Sequence, residues 1–321
     1  MGGYAIPDAG KHPEYYEAIR RNISLLKQFT HNGLLYGGMH YKTAGMKPCI
    51  HHTFGHAKAL ASFLALPVAT PPRVLLPRDK EYGVKYYKDI NTWLVAEDDW
   101  RATITGFDAE YKVKGTHPMG GALSMLWHKK TGPVFAATMN KFSMIEAPNM
   151  QSYLQENKMP GTPRIELQEN GDMYSNLDDL DALINYHKKG DAHIFHTHTH
   201  LVNSEQAYSS LGNSVEEITY TFDAGNILIR CKGDKSLTGK GIKLVLPVIS
   251  DPEEKVRRNG NELSIKKQNC SLILKSNSML QIAPTDPNGR IFNPVPGFSF
   301  IPVVIEPGPN GEMEVTIAVE K

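Results

Sequence analysis

The sequence predicts a mainly β protein, a many-stranded antiparallel β-sandwich preceded by a short α-helical segment. Three observations predict it. Short apolar–polar alternations recur from Val84 to Val319, each closed by a turn rich in Gly, Asn or Pro. Helix-period apolar stripes fall before Pro67. The strand-like runs follow one another without intervening helical segments, which favours stacked antiparallel sheets over βαβ units.

In chain order, Pro13 to Thr30 reads as a helix, with Pro13 suited to its first turn and Glu14 to its dipole. Tyr16, Ile19, Ile23 and Leu26 share one face, and Asn32-Gly33 is expected to stop the helix. A second helix is expected from about Thr53, with Ala57, Leu60, Ala61 and Leu64 as its apolar stripe and Pro67 at its end. Two such helices bury little apolar surface on their own. They need the β region, a second copy of the chain or a helical domain outside it. Pro67–Pro72 reads as a linker, dividing the chain into residues 1–68 and 69–321.

Strands are expected at Val84–Tyr87, Asn91–Ala96, Arg101–Gly106, Glu110–Lys114, Ala122–His128 and Val134–Thr138. Further strands follow at Asp181–His187, Ala192–Val202, Glu217–Phe222, Ile227–Cys231, Ile242–Val248, Ser271–Leu274, Ser299–Ile305 and Glu314–Val319. Lys189-Gly-Asp191, Ala224-Gly-Asn226 and Pro309-Asn-Gly311 read as hairpin turns. Asn140 to Ser175 reads as a long excursion, the kind of connection that often binds ligands.

Composition removes several function classes. A net charge of +1 without blocks of like charge gives no reason to expect nucleic acid as partner. No apolar run approaches the length of a membrane span, and no signal peptide is visible. Cys49, Cys231 and Cys270 build neither a disulfide framework nor a cysteine metal site. The absence of GxGxxG, Walker and GxSxG motifs argues against nucleotide enzymes and serine hydrolases.

Chemistry-bearing residues concentrate in two stretches. The first is Tyr36-Gly-Gly-Met-His-Tyr41 with Pro48-Cys-Ile-His-His-Thr-Phe-Gly-His-Ala-Lys58. Its tyrosines and histidines can pass protons. His52 and His56 are four apart and share a helical face, but Thr53 stands where a zinc protease would carry glutamate. Near a helix N-terminus one of them can accept a proton or bind a carboxylate, with capping and packing as the plain alternative. Lys58 is a carboxylate partner or a solvated charge. The second stretch is Ala192-His-Ile-Phe-His-Thr-His-Thr-His-Leu-Val202. As a strand it puts His196, His198 and His200 on one face, about 6.5–7 Å apart, so two imidazoles can reach one ion. A histidine-rich face without metal is the alternative. Trp100, beside Asp98-Asp99, is expected to be an exposed sugar-stacking ring and Trp127 a core residue; Asp178-Asp-Leu-Asp181 reads as a solvated turn.

The helical stretch ending in Leu34-Leu-Tyr-Gly-Gly-Met-His-Tyr41, followed by a many-stranded region containing Gly120-Gly-Ala-Leu-Ser-Met-Leu-Trp127, resembles the heparinase-type and alginate-type polysaccharide lyases. The resemblance implies an (α/α) toroid followed by antiparallel sheets, with room here for about one helical hairpin of that toroid. It implies β-elimination on a uronate-containing acidic polysaccharide. Tyr41 is similar to the family tyrosine that acts as acid or acid/base, with Tyr36 as its substitute. His52, His56 or His196 would serve as base, and Tyr36, His40, Lys58 and Trp100 would contact substrate. A structural zinc through His198 and His200 is implied, as is a periplasmic or extracellular location. The family's Asn-His pair is not matched, since His31-Asn32 runs in the reverse order. The alternative to a lyase is a non-catalytic β-sandwich that binds glycan or supports a catalytic domain.

Overall fold

The computed structural model describes residues 12–48, 50–65, 71–107, 118–139, 159–211, 215–233, 235–283, 289–294 and 296–320. The chain divides into two compact units. The first holds the described residues up to Tyr82 together with Phe292–Phe298, and the second holds the remainder. The expected strand Glu110–Lys114, Cys49, most of the Pro67–Pro72 linker and the first part of the Asn140–Ser175 excursion lie outside the described residues.

In the first unit, α1 (Pro13–Gln28) opens with proline in its first turn, as the sequence requires. Its amphipathic face buries Ile19 against Ile23, Ala59 and Leu60. Asn32-Gly33 is not the helix stop. It turns a small hairpin between β1 (Thr30–His31) and β2 (Leu34–Leu35), with φ of 52° and 76°. The second helix, α2 (Ile50–Leu64), begins earlier than Thr53. Thr53 is inside it, where its Oγ1 accepts a 2.9 Å hydrogen bond from the Leu35 amide. Of the expected apolar stripe only Leu60 packs on α1; Leu64 is exposed, with Ile50 and Phe54. A short helix α3 (Pro77–Lys80) is tied to α1 by Arg21, whose guanidinium meets both Asp79 oxygens and the buried Glu17.

The second unit is built from three antiparallel sheets. Five strands form a meander: β3 (Gly83–Tyr87), β4 (Thr92–Glu97), β5 (Trp100–Thr105), β6 (Ala122–His128) and β7 (Gly132–Ala136). The eight-stranded sheet runs β10 (Leu183–Lys189), β11 (Ala192–His198), β12 (Val215–Asp223), β13 (Asn226–Gly233), β21 (Met313–Glu320), β17 (Ser271–Ser276), β16 (Glu262–Lys266) and β15 (Lys255–Asn259). The third sheet runs β18 (Leu280–Ile282), β20 (Phe298–Ile305), β14 (Lys243–Ile249), β8 (Arg164–Glu169) and β9 (Asp172–Ser175), with β19 (Ile291–Asn293) beside β20. One apolar core joins all three sheets, through Leu123 and Phe135, Phe195 and Ile229, and Leu246 and Val303. Strands of the eight-stranded sheet alternate buried and exposed, so it keeps one face to water. By contrast β20 is buried along its whole length, which its near-continuous apolar sequence allows. Pro247 and Pro302 lie directly opposite each other in β14 and β20. Neither can donate to the ladder, so they occupy a pair that exchanges no amide bonds.

Several sequence expectations are corrected. The end of the Asn140–Ser175 excursion is the hairpin β8–β9, whose alternation was obscured by its charged ends. Strands β15 and β16 escaped because Lys255-Val-Arg-Arg-Asn259 carries one apolar residue, as suits an edge strand protected by charge. Pro309-Asn-Gly311 is a tight turn, but it passes the chain from β20 to β21 in another sheet and makes no hairpin.

One junction ties the three sheets together. Gly120 and Gly121 precede β6 with φ of 65° and 68°. A Cβ on Gly120 would lie 1.5 Å from the Asn176 carbonyl, and one on Gly121 would lie 1.8 Å from the Thr197 methyl. Asn176 donates to the Gly120 carbonyl (3.1 Å) and accepts from the Ile165 amide (2.8 Å), while Tyr220 donates to the Gly121 carbonyl (3.0 Å).

Gly121→Ala should therefore cost about 3 kcal/mol or more, from left-handed backbone strain plus overpacking against Thr197. Chemical denaturation would read this as a lower midpoint at constant slope. In the first unit, Arg21 hydrogen bonds hold Glu17 and Asp79 below the ordinary carboxylate range. Their stabilisation is complete above the unfolded carboxylate pKa and disappears as pH falls through the depressed folded values. Helical circular dichroism should show this acid loss, and Arg21→Ala should shrink it.

Candidate active site

In the first unit, Gly37 and Gly38 let side chains and backbone come close. A Cβ on Gly37 would lie 3.2 Å from the Tyr41 ring and 3.7 Å from His52 Nδ1, so this glycine sits between the two rings. Tyr41 is buried. Its hydroxyl donates to the Pro294 carbonyl at 2.8 Å, and its ring meets Phe292 edge-on at 5.4 Å. His40 is also buried, and its amide donates to the Gly297 carbonyl at 2.9 Å. Tyr36 sets its ring edge-on to His31 at 5.3 Å. His52 and His56 are both partly buried on α2. Burial pushes the His56 imidazole below its usual range, and its Nδ1 has no hydrogen-bond partner among the described residues. Lys58 is exposed. The unit thus brings Tyr41 and His52 together and leaves Lys58 on the outer side of the helix.

In the second unit the histidine stretch is a strand only to His198. His193 faces the core with Phe195 and Thr197, while His196 and His198 face outward. His196 Nδ1 is 2.9 Å from Glu217 Oε1, and its ring lies parallel to His187 at 5.1 Å. Burial pushes the Glu217 carboxyl up, but hydrogen bonds from His196 and Thr219 outweigh this and hold it below its usual range.

Beyond His198 the ladder breaks and the chain wraps Asp179. That carboxylate is buried, and its Oδ2 accepts from the Thr199 hydroxyl (3.0 Å) and the His200 amide (2.7 Å). His200 Nδ1 lies 3.2 Å from the same oxygen. Asp179 Oδ1 accepts from the Asp181 amide at 2.9 Å. The Asp178–Asp181 run is therefore not a simple solvated turn: Asp178 and Asp179 are both buried. A carboxylate on Nδ1 selects the tautomer that leaves Nε2 as a proton acceptor. His200 is 31% exposed, and the exposed Tyr208 ring meets it edge-on at 5.4 Å. An oriented imidazole beside an accessible phenol can remove one proton and supply another. Sequence reasoning singled out His200 but missed Asp179 and Tyr208, which no spacing rule connects to it.

The strand reading expects His198 and His200 to share a zinc ion. The alternation that would align them ends at His198; Asp179 engages His200 Nδ1 and leaves Nε2 as the nitrogen a metal would use. Among the described residues, no group of three or more His, Cys, Asp or Glu is arranged to hold a metal. The tryptophans exchange places relative to expectation. Trp100 is 1% exposed, with its ring on His128 and its Nε1 donating to the Gly225 carbonyl, so it offers no face to a sugar. Trp127 pairs with Arg101 on the outward side of the meander and is only partly buried.

Comparison with known proteins agrees with this architecture. The Ulvan lyase C-terminal domain family matches residues 84–320, and the Ulvan lyase N-terminal domain family matches residues 3–74. The chain belongs to the ulvan lyase family. It is 34% identical over 304 residues to the broad-specificity ulvan lyase of Formosa agariphila, covering 91% of this chain and 46% of that protein. The chain thus spans about half the length of that relative. Among solved structures, a heparan sulfate lyase HepC mutant from Pedobacter heparinus aligns with a TM-score of 0.44 at 10% identity, over 96% of this chain and 47% of that one. The 4-alpha-glucanotransferase of Thermococcus litoralis aligns with a TM-score of 0.41 at 11% identity, over 76% and 40%. Alignments this loose add nothing to the family assignment. Among the described residues, no helix is long and apolar enough to cross a membrane.

Tyr41→Phe should destabilise the protein by about 1–3 kcal/mol, because the buried Pro294 carbonyl loses its donor. Urea denaturation would measure it; an unchanged midpoint would show that the hydrogen bond contributes nothing.

Proposed function

We propose that this chain is the part of an ulvan lyase family enzyme that cleaves a uronate-containing acidic polysaccharide by β-elimination. The observation that carries this reading is the 34% identity to a broad-specificity ulvan lyase across 91% of the chain. The His200 site supplies chemistry that suits it. His200 Nε2 takes the C5 proton of the uronate, and the electron pair moves into the enolate of the adjacent carboxylate. The C4–O bond then breaks, C4=C5 forms, and the Tyr208 hydroxyl protonates the departing oxygen. Asp179 keeps His200 in the required tautomer and stabilises the imidazolium.

Tyr41 is the sequence-derived candidate for the acid. Its hydroxyl already donates to Pro294, so the reading gives the phenol role to Tyr208. The partner is an acidic polysaccharide, and a polymer of that kind places the protein in the periplasm or outside the cell.

The test incubates the protein with a panel of uronate polysaccharides and follows ultraviolet absorbance of the new conjugated double bond. Turnover of at least one is expected. His200→Ala and Tyr208→Phe should each lower kcat by about 10²–10⁴-fold with the fold intact. His196→Ala should cost less than His200→Ala, since His196 has no phenol in ring contact among the described residues. No absorbance change on any polysaccharide would overturn the lyase reading; full activity in His200→Ala would overturn its assignment.

A further inference from the structure

A second constellation lies at the other end of β11, about 20 Å from His200 by strand rise. Strands β3 and β10 are the outermost strands of their sheets. Between these edges the inward side chains form a stack of rings. Tyr86 lies nearly parallel to Trp93, with centroids 4.2 Å apart and planes at 20°. Trp93 in turn contacts Tyr186 at 5.5 Å and Phe195 at 5.7 Å. A polar chain runs alongside. The Tyr186 hydroxyl is 2.8 Å from His193 Nδ1, and His193 Nε2 is 3.4 Å from Glu97 Oε2.

Two features of this edge go beyond closing a core. Tyr86 is 44% exposed, so the open end of the stack presents a ring to solvent. The Trp93 indole N–H is buried with no hydrogen-bond partner among the described residues, although a buried indole normally finds an acceptor. We propose that this edge is a binding subsite for an uncharged pyranose, stacked on Tyr86 and hydrogen-bonded by Tyr186 and Glu97. The electron-rich ring face attracts the C–H face of a sugar. The polar groups offer two acceptors. Burial pushes the His193 imidazole below its usual range, and Glu97 beside Nε2 favours the tautomer with its proton there. Nδ1 then accepts from Tyr186, whose oxygen lone pairs remain to receive a sugar hydroxyl.

Charge selects against a uronate at this subsite. Burial, followed by Asp98, Asp191 and Asp223, pushes the Glu97 carboxyl above its usual range, with Lys188 opposing. An acidic edge of this kind disfavours an incoming anion. The subsite therefore takes a neutral residue of a glycan chain, whether or not the elimination chemistry at His200 holds.

Binding can be read without turnover. Saturation-transfer NMR would probe the protein with methyl glycosides of neutral hexoses, and with methyl glucuronide as the charged comparison. At least one neutral glycoside should give a signal that methyl glucuronide does not match. Tyr86→Ala should weaken its affinity between about threefold and tenfold. Tyr186→Phe keeps the ring but removes the hydroxyl, and should weaken binding by about threefold or more. The proposal is overturned if no neutral glycoside binds at tens of millimolar, if methyl glucuronide binds equally well, or if neither folded variant changes the affinity. Because this readout needs no cleavage, an absent lyase activity and an absent subsite are separate results.

Discussion

The junction at Gly120–Gly121 is the constraint on which the β-rich unit depends. Three sheets meet there with less room than a single methyl group occupies. The left-handed backbone at both positions is tolerated because glycine lacks a Cβ. Asn176 uses both ends of its amide, one to each of two sheets. The candidate active site is a direct extension of this contact. The Asp179 amide donates to the Asn176 carbonyl at 3.0 Å, and the Met119 amide donates to the Leu177 carbonyl at 3.0 Å. Thr197, whose methyl fills the space beside Gly121, belongs to the strand that delivers His200 two residues after that strand ends. Asp179 and His200 are therefore positioned by the packing that joins the sheets, which provides the rigid support an oriented catalytic pair requires.

That origin explains how much was legible in the sequence. Alternation located Ala122–His128 to the residue and most other strands to within a few residues, because one face of each is buried. It failed at Lys255–Asn259, where charge replaces apolar residues on an edge strand and so hinders edge pairing, and at Arg164–Glu169, where strand ends dilute the pattern. Period-two reasoning also grouped His196 and His198 on one face of β11. It could not foresee that the strand stops at His198, because the cause is a carboxylate twenty residues earlier in the chain. Trp100 and Trp127 show the same limit. Both flank a turn or an alternating run, and only the register that pairs Arg101 with Trp127 and Trp100 with His128 decides which ring enters the core.

Residues 193–200 show how one short segment can serve unlike environments. His193, on the inward side, is pushed below its usual range by burial and exchanges a hydrogen bond with a phenol. His196, on the outward side, pairs with Glu217 across the ladder and stacks on His187. His200, past the break, shares its carboxylate with a backbone amide and a hydroxyl. These partners differ in what they permit. Glu217 is on the solvated sheet face, where screening weakens its hold on His196. Asp179 is buried and accepts four hydrogen-bonding contacts, so it is held in place beside His200. An imidazole that must take a proton from carbon needs a partner that does not move when the charge appears. On that criterion the change of partner, more than the number of histidines, separates the proposed base from its neighbours.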